Sequence, residues 1–285
     1  MIIPNRPELS PEEKRMPLAK YYNLPLHTIG PLQQQIINAG PMNPKYAIKA
    51  ENWLDHLKMP GEYNKMTYGY CLMEDGSGYI ASYSVYQNAR PEMISWFFRW
   101  INIPCKSQPE GTGNLKYKIW CPPDHFTHGF INGKDRSNGI FSIESLDLGK
   151  GGPKGYCLRT HLSLKDFGLT DVREKELVGA GVWIDPALET FYTVDEPHRP
   201  LPGAHLCLTM SRPHPLGGME KVTAEWVGYG IKDGKIYFHK DTPSYKLTED
   251  WLKSVLVHTT TEAQQLGKFL PELYAEYHEK PEDAD

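Results

Sequence analysis

LTEDWLKSVLVHTTTEAQQLGKFLPELYAEYHEK, residues 247–280, carries the clearest helical signal in the chain. Thr248 is placed to cap the helix, since a threonine hydroxyl can accept from the free N–H groups of a first turn. An apolar line then runs through Trp251, Val255, position 258, position 262, Leu266, Phe269 and Leu273. Steps of three and four residues keep these positions on one helical face. Pro271 is placed to kink the helix near its end. Two positions on the apolar line are not apolar: 258 is His and 262 is Glu. One turn apart, they leave the helix in the same direction. A carboxylate buried without a partner costs several kcal/mol or takes up a proton, so this pair needs a counterpart. A divalent metal is one counterpart, because imidazole nitrogen and carboxylate oxygen both suit zinc. The plainer reading pairs Glu262 with His258 or with a basic residue.

Working back from the helix, the chain is strand-rich from Met66 onward. TYGYCLME and GYIASYSVY flank Asp75-Gly76-Ser77-Gly78 and predict a hairpin. RPEMISWFFRWI (90–101) predicts a helix with Pro91 in its first turn and Met93, Trp96, Phe97 and Trp100 on one face. Further strands are expected at 115–121, 140–148, 156–164, 176–184, 204–212, 222–231 and 235–239. Residues 1–45 read as an irregular arm lying on the domain, with one short helix near LQQQIIN, and ENWLDHL (51–57) as another short helix. Many sequential strands and one late helix predict an α+β domain over 46–285, with a curved antiparallel sheet around the C-terminal helix and a cavity between them.

Two further segments bear on chemistry. CPPDHFTHGF (121–130) follows an expected strand, and its two prolines stiffen the turn. It presents Asp124, His125 and His128, each of which could bind a metal or orient a residue that does. In IFSIESL, alternation sets Ser142, Glu144 and Leu146 on the face opposite Phe141, Ile143 and Ser145. A glutamate in the middle of a strand wants a partner, unless the strand is an exposed edge.

The net charge is −4, and the basic residues are scattered, so nucleic acid is not an expected partner. The first residues lack a signal-peptide pattern, and no apolar run reaches the ~20 residues of a membrane span. Five cysteines without a CxxC pair fit neither a disulfide framework nor a four-cysteine metal site. A cytoplasmic protein is expected, with no membrane partner. Seventeen tyrosines and seven tryptophans could line a pocket for a flat ring, although most aromatic residues fill cores.

The stretch TYGYCLMEDGSGYIASYSVYQNARPEMISWFFRW, then LKYKIWCPPDHF, FSIESL, HLCLTMSRPHPLGGMEKVTAEWVGYG and the HTTTE of the last helix, resembles the family of 2,4-diacetylphloroglucinol hydrolase and phloretin hydrolase. The resemblance covers most of the chain from Met66 onward, and KYKIWCPPDHF with the late HxxxE is its most specific part. It implies a helix-grip, START-like domain holding one Zn2+ through His125, Glu144, His258 and Glu262. It also implies that Tyr117 and His128 contact the ring hydroxyls of the substrate and help to move protons. His128 stands where a relative has a substrate-contacting Asn, and the spacer from His125 to Glu144 is shorter here. The family's later substrate-binding tyrosine has no counterpart, which leaves His214 or His205 for its place. The activity implied is hydrolysis of the carbon–carbon bond between an acyl group and a polyhydroxylated ring, giving a phenol and a carboxylic acid, and a homodimer is expected by the same likeness. The rival expectations are a START-like carrier of an aromatic or apolar small molecule without a metal, and a zinc hydrolase acting on an ester or amide.

Overall fold

The computed structural model of the protein describes residues 6–26, 29–103, 105, 114–131, 139–150, 154–193, 200–238 and 247–280. Eight strands form one antiparallel sheet: β1 (Gly69–Leu72), β2 (Gly78–Tyr86), β3 (His125–Phe130), β4 (Ile140–Glu144), β5 (Gly155–His161), β6 (Trp183–Thr193), β7 (Pro200–Pro213) and β8 (Met219–Val227). Their order is β1-β2-β8-β7-β6-β5-β4-β3. Neighbours in the sheet are neighbours in the chain except where β8 returns beside β2. A two-stranded ribbon, β9 (Tyr229–Lys232) with β10 (Lys235–Phe238), follows β8. The helices are α1 (Ala19–Tyr22), α2 (Pro31–Ala39), α3 (Pro91–Trp100), α4 (Leu115–Lys118), α5 (Asp171–Gly179) and α6 (Glu249–Tyr277). The sheet curves around α6, which is the helix-grip arrangement expected from the sequence.

Helix α6 starts where the sequence places it, with the Thr248 hydroxyl accepting from the Trp251 N–H at 3.2 Å. It runs on through Pro271 to Tyr277. Its first half, through Leu252, Val255 and Leu256, packs with Tyr70, Ile80 and Val227 of the sheet. Its second half, through Leu266, Phe269, Leu270 and Leu273, joins Tyr21, Trp96, Phe97 and Trp100. Gly267 allows the close approach between helix and sheet. A Cβ there would lie 2.0 Å from the Tyr86 ring of β2, so a larger residue would push α6 outward. His258 and Glu262 lie between these two apolar zones.

The opposite face of the sheet is apolar. Leu206, Leu208 and Met210 of β7 and Val222, Ala224 and Trp226 of β8 pack under Trp53, Leu57 and Leu177. The short helix expected at 51–57 is a 3-10 helix, Ala50–His56, which supplies Trp53 to this layer. The helix near LQQQIIN is α2, and α1 is a further short helix in the N-terminal segment.

Three strand expectations need correction. Residues 115–118 form α4, capped by the Asn114 side chain, which accepts from the Lys116 N–H at 3.0 Å. The alternation of Lys and apolar residues in LKYKIW imitates a strand, but the cap and the two following prolines favour a single helical turn. Residues 176–179 are the last turn of α5, which begins at the Thr170 cap. Gly181, at φ +76°, separates that helix from β6. The run 222–231 is broken at Gly228, at φ +95°, where β8 ends and the β9–β10 ribbon begins. Among the described residues, no helix is long and apolar enough to cross a membrane.

Candidate metal centre and cavity

The sheet register puts the first two candidate ligands side by side. His125 opens β3 and is paired across the ladder with Glu144, the last residue of β4. A bulge between His125 and Thr127 shifts the register beyond this point. Glu144 is thus an inward residue on a strand flanked by β3 and β5, and it is buried rather than on an exposed edge. From the other side, α6 presents His258 and Glu262.

The four side chains converge. His125 Nε2 stands 3.8 Å from Glu144 Oε2 and 3.6 Å from Glu262 Oε2. His258 Nε2 stands 3.8 Å from Glu262 Oε2. These separations are too long for hydrogen bonds. Each separation leaves room for an ion between its two groups at bonds of about 2.0–2.2 Å, and the three pairs link the four side chains in a row.

Both imidazoles are oriented through their other nitrogen. His125 Nδ1 lies 3.2 Å from the Tyr117 carbonyl oxygen, a partner that can only accept, so Nδ1 carries the proton. The carbonyl is in reach because residues 115–118 are helical rather than extended. His258 Nδ1 donates to Asp124 Oδ2 at 2.7 Å. Asp124 is itself held by the Ser145 hydroxyl at 2.8 Å and by the Leu148 and Gly149 N–H groups. Each ring therefore turns Nε2 toward the carboxylates, the arrangement by which a carbonyl or carboxylate fixes a metal-binding histidine. His125 Nε2 is buried and has no hydrogen-bond partner. Leaving such an atom unpaired is costly, and an ion would satisfy it.

The titration behaviour of the cluster shows the same need for a cation. Burial pushes the Glu262 carboxyl up to about 7, against the opposing pull of Lys221 and His258. Burial also raises Glu144, although the charge of His258 and the Tyr117 hydroxyl oppose it. His125 is held well below its usual range by burial and by the neighbouring His258. Burial lowers His258 too, but its hydrogen bond to Asp124 and the charges of Asp124, Glu262 and Glu144 outweigh this and bring it to about 9. A divalent cation would favour ionised carboxylates and neutral imidazoles at once. The donor set fits zinc, whose usual ligands include imidazole nitrogen and carboxylate oxygen. Cys121 offers a further donor: its Sγ lies with ligand atoms of His125 and His258 inside a 4.8 Å group. Burial pushes that thiol well above its ordinary range.

Tyr117 is next to the cluster. Its hydroxyl donates to Glu144 Oε2. Its ring stacks on His125 at 3.9 Å and 3°, and on His128 at 4.7 Å and 23°. His128 Nε2 meets Asn102 Oδ1 at 2.8 Å. Tyr117, His128, Glu144, His258 and Glu262 all line one cavity, with about 920 Å3 of empty space including its mouth.

His214 is not brought to this cavity. It lies in the turn between β7 and β8, where its Nδ1 accepts from the Leu216 N–H at 3.2 Å. It caps that turn, and the β7 and β8 residues lining the cavity come from the middle of those strands. His205, the alternative, is buried on β7 with Nδ1 3.5 Å from Glu225 Oε2. The cavity wall also contains residues the sequence reading did not single out: Arg159, Asp185, Glu189, Lys221 and Glu225. Arg159 is bound by Asp185 and Glu189. The one available signal was the alternation Lys221, Thr223, Glu225 against Val222, Ala224, Trp226, which reads equally well as a strand with one wet face.

Residues 49–150 match the family model described as the DAPG hydrolase PhiG domain. A stretch of 116 residues, 40% of this chain, is 28% identical to phloretin hydrolase of Eubacterium ramulus and covers 39% of that protein. The chain thus spans about two fifths of the length of the curated relative it matches. The family-model match contains Tyr117, His125, His128 and Glu144 and ends before α6. Both matches bear out the resemblance found in the sequence.

Proposed function

We propose, from the similarity of this chain to the DAPG hydrolase family model and to phloretin hydrolase, that it is a zinc-dependent hydrolase of acylated polyhydroxybenzenes, cleaving the carbon–carbon bond between acyl group and ring. The observation that carries the proposal is the meeting of His125, Glu144, His258 and Glu262 at the wall of the cavity, with an unpartnered buried Nε2 on His125. These four residues would hold the ion. When bound, zinc supplies Lewis acidity and makes water available as a nucleophile near neutral pH.

The chain's own residues account for the rest. Asp124 and the Tyr117 carbonyl fix the tautomers of His258 and His125. The Tyr117 hydroxyl steadies Glu144 and, with His128, offers polar contacts to ring hydroxyls. A polyhydroxylated ring can take its ketone form, in which the carbon bearing the acyl group is tetrahedral. Water adds to the acyl carbonyl carbon and gives a proton to a carboxylate. The bond from acyl carbon to ring then breaks, and its electron pair passes into the ring as an enolate. The ring carbon keeps the hydrogen it carried in the ketone form, the enolate oxygen takes up the proton held by the carboxylate, and the products are a carboxylic acid and a phenol. Glu262, which faces both His258 and the cavity, would take up and return that proton.

The test is turnover of mono- and diacetylphloroglucinol, phloretin and simple aryl esters by purified protein, with products identified by mass spectrometry. The expected result is a deacylated phenol and the matching carboxylic acid from the acylated rings, abolished by chelation and restored by zinc. Cleavage of the aryl esters alone would overturn the carbon–carbon assignment. Tight binding of the ketones without any product would favour a carrier.

A further inference from the structure

Lys221 is the more loosely paired of the two cations on the cavity wall. It lies on β8 and is 7% exposed. Its ammonium faces the cavity beside Glu262, with Nζ 3.7 Å from Oε1. That separation exceeds a hydrogen bond. Nζ also stands 5.7 Å from the ring centroid of Phe98 and 5.8 Å from that of Trp120. An ammonium carries three donors and no acceptor. Among the described residues Lys221 has one loose carboxylate contact and two aromatic faces, and it makes no hydrogen bond. Arg159, the other cation of this wall, is taken up by Asp185 at 2.8 Å and by Glu189.

A second donor belongs to the same wall. The indole N–H of Trp120 is buried and has no partner. An indole N–H, like an ammonium, can only donate. A ligand that satisfies both must bring an acceptor, and the charge of Lys221 favours an anionic one. Phe98 and Trp120 add flat apolar surfaces suited to an aromatic ring. Glu262 Oε2 faces the two histidines while its Oε1 faces Lys221, so this donor pair adjoins the candidate metal centre.

We infer that Lys221 and the Trp120 N–H form a subsite for an anionic oxygen on an aromatic ring, the oxygen ortho to the acyl group. The inference rests on the proposed hydrolase reading and adds Lys221 to that site as the group that meets the ortho oxygen of the ring. When the acyl–ring bond breaks, its electron pair moves into the ring and the negative charge rests on the ortho oxygen. The ammonium stabilises that charge until the ortho oxygen takes a proton. The interaction strengthens as the bond breaks, which is the condition for accelerating the step.

The experiment uses full-length zinc-loaded protein as wild type, Lys221→Met, Lys221→Arg and Trp120→Phe. It measures metal content, binding of phloroglucinol by calorimetry, and turnover of acetophenones with and without an ortho hydroxyl. The expected result is unchanged zinc in all four proteins. Lys221→Met should weaken phloroglucinol binding by roughly 10- to 100-fold, as expected for loss of a charged hydrogen bond, and Trp120→Phe by roughly 3- to 10-fold. Lys221→Arg should recover most of the binding, and the preference for ortho-hydroxyl substrates should vanish in Lys221→Met. Binding within twofold of wild type in Lys221→Met would overturn the inference. So would loss of zinc in both Lys221 variants, which would make Lys221 a counter-ion for Glu262 alone. If no acylated ring is turned over by wild type but phloroglucinol binding still depends on Lys221, the hydrolase reading fails and the anion subsite stands.

Discussion

The two faces of β7 and β8 are buried to a similar degree and made for opposite purposes. Toward the 3-10 helix at residues 50–56 they present Leu206, Leu208, Met210, Val222, Ala224 and Trp226. Toward α6 they present Cys207, Thr209, Lys221, Thr223 and Glu225. Every residue of β8 is buried, so exposure alone does not separate the faces. Their chemistry does. The outer face removes apolar surface from water and stabilises the fold at about 25 cal/mol per Å2 buried. The inner face holds charges away from water, which costs stability unless partners compensate. Polar residues alternating through a strand that is buried on both sides therefore mark a site and not a core.

Substitutions on the two faces should separate these roles. The largest effect is expected from Trp226→Ala. The ring packs against Trp53 and Tyr79, and its N–H donates to the Ile48 carbonyl at 2.7 Å. Denaturant melts should show a loss of about 3–5 kcal/mol, with the metal centre assembled in the molecules that remain folded. A loss under 1 kcal/mol would deny the outer face its structural role.

The inner face should respond to pH instead. In metal-free protein, Glu262 is raised to about 7 from an ordinary value of 4.5, chiefly by burial. Between those values the unfolded chain gives up a proton that the folded chain keeps, so stability falls as pH rises across that window. His258, raised to about 9 from 6.5, adds a contribution that is complete below 6.5 and lost as pH rises toward 9. Below pH 6.5 the lowered imidazoles of His125 and His56 act in the opposite sense, so melts of metal-free protein should show the decline between pH 6.5 and 9, reaching a few kcal/mol. Glu262→Gln should flatten its lower part, and zinc should reverse the trend by favouring the ionised carboxylate. A stability that rises with pH between 6.5 and 9 in metal-free protein would contradict the assignment.

The smallest effect is expected from Thr223→Val, one strand position from the apolar layer. Its hydroxyl meets that of Thr209 at 3.0 Å, on the cavity side. Stability should change by about 1 kcal/mol or less, while binding of a hydroxylated ring in the cavity changes measurably. A loss as large as that of Trp226→Ala would erase the distinction between the faces.

The legibility of the sequence follows the same division. Helix α6 was readable because its apolar period is long, and His258 and Glu262 stood out as interruptions of that period. Glu144 was readable from strand alternation. The choice among Asp124, His125 and His128 was not, because one short turn offers all three. Their roles depend on contacts across the fold: Asp124 orients His258, whereas His128 bonds Asn102. Helix α4 was misread because four residues are too few to show a helical period, and the Asn114 cap was the available clue. Lys221 and Arg159 were invisible because their partners lie on other elements: Glu262 meets Lys221 only when α6 packs on the sheet, and Asp185 and Glu189 meet Arg159 only when β6 pairs with β5.

The central claim is the identity of the donors around a single bound ion, and X-ray absorption at the zinc edge on zinc-loaded protein, with total metal content measured in parallel, tests it most directly. Two imidazoles and two carboxylates predict one zinc per chain and a shell of nitrogen and oxygen at about 2.0–2.2 Å, with both zinc and signal lost in His258→Ala. A sulfur shell near 2.3 Å would give the site to Cys121 with the histidines, and protein that takes up no zinc would remove the metal from the account altogether.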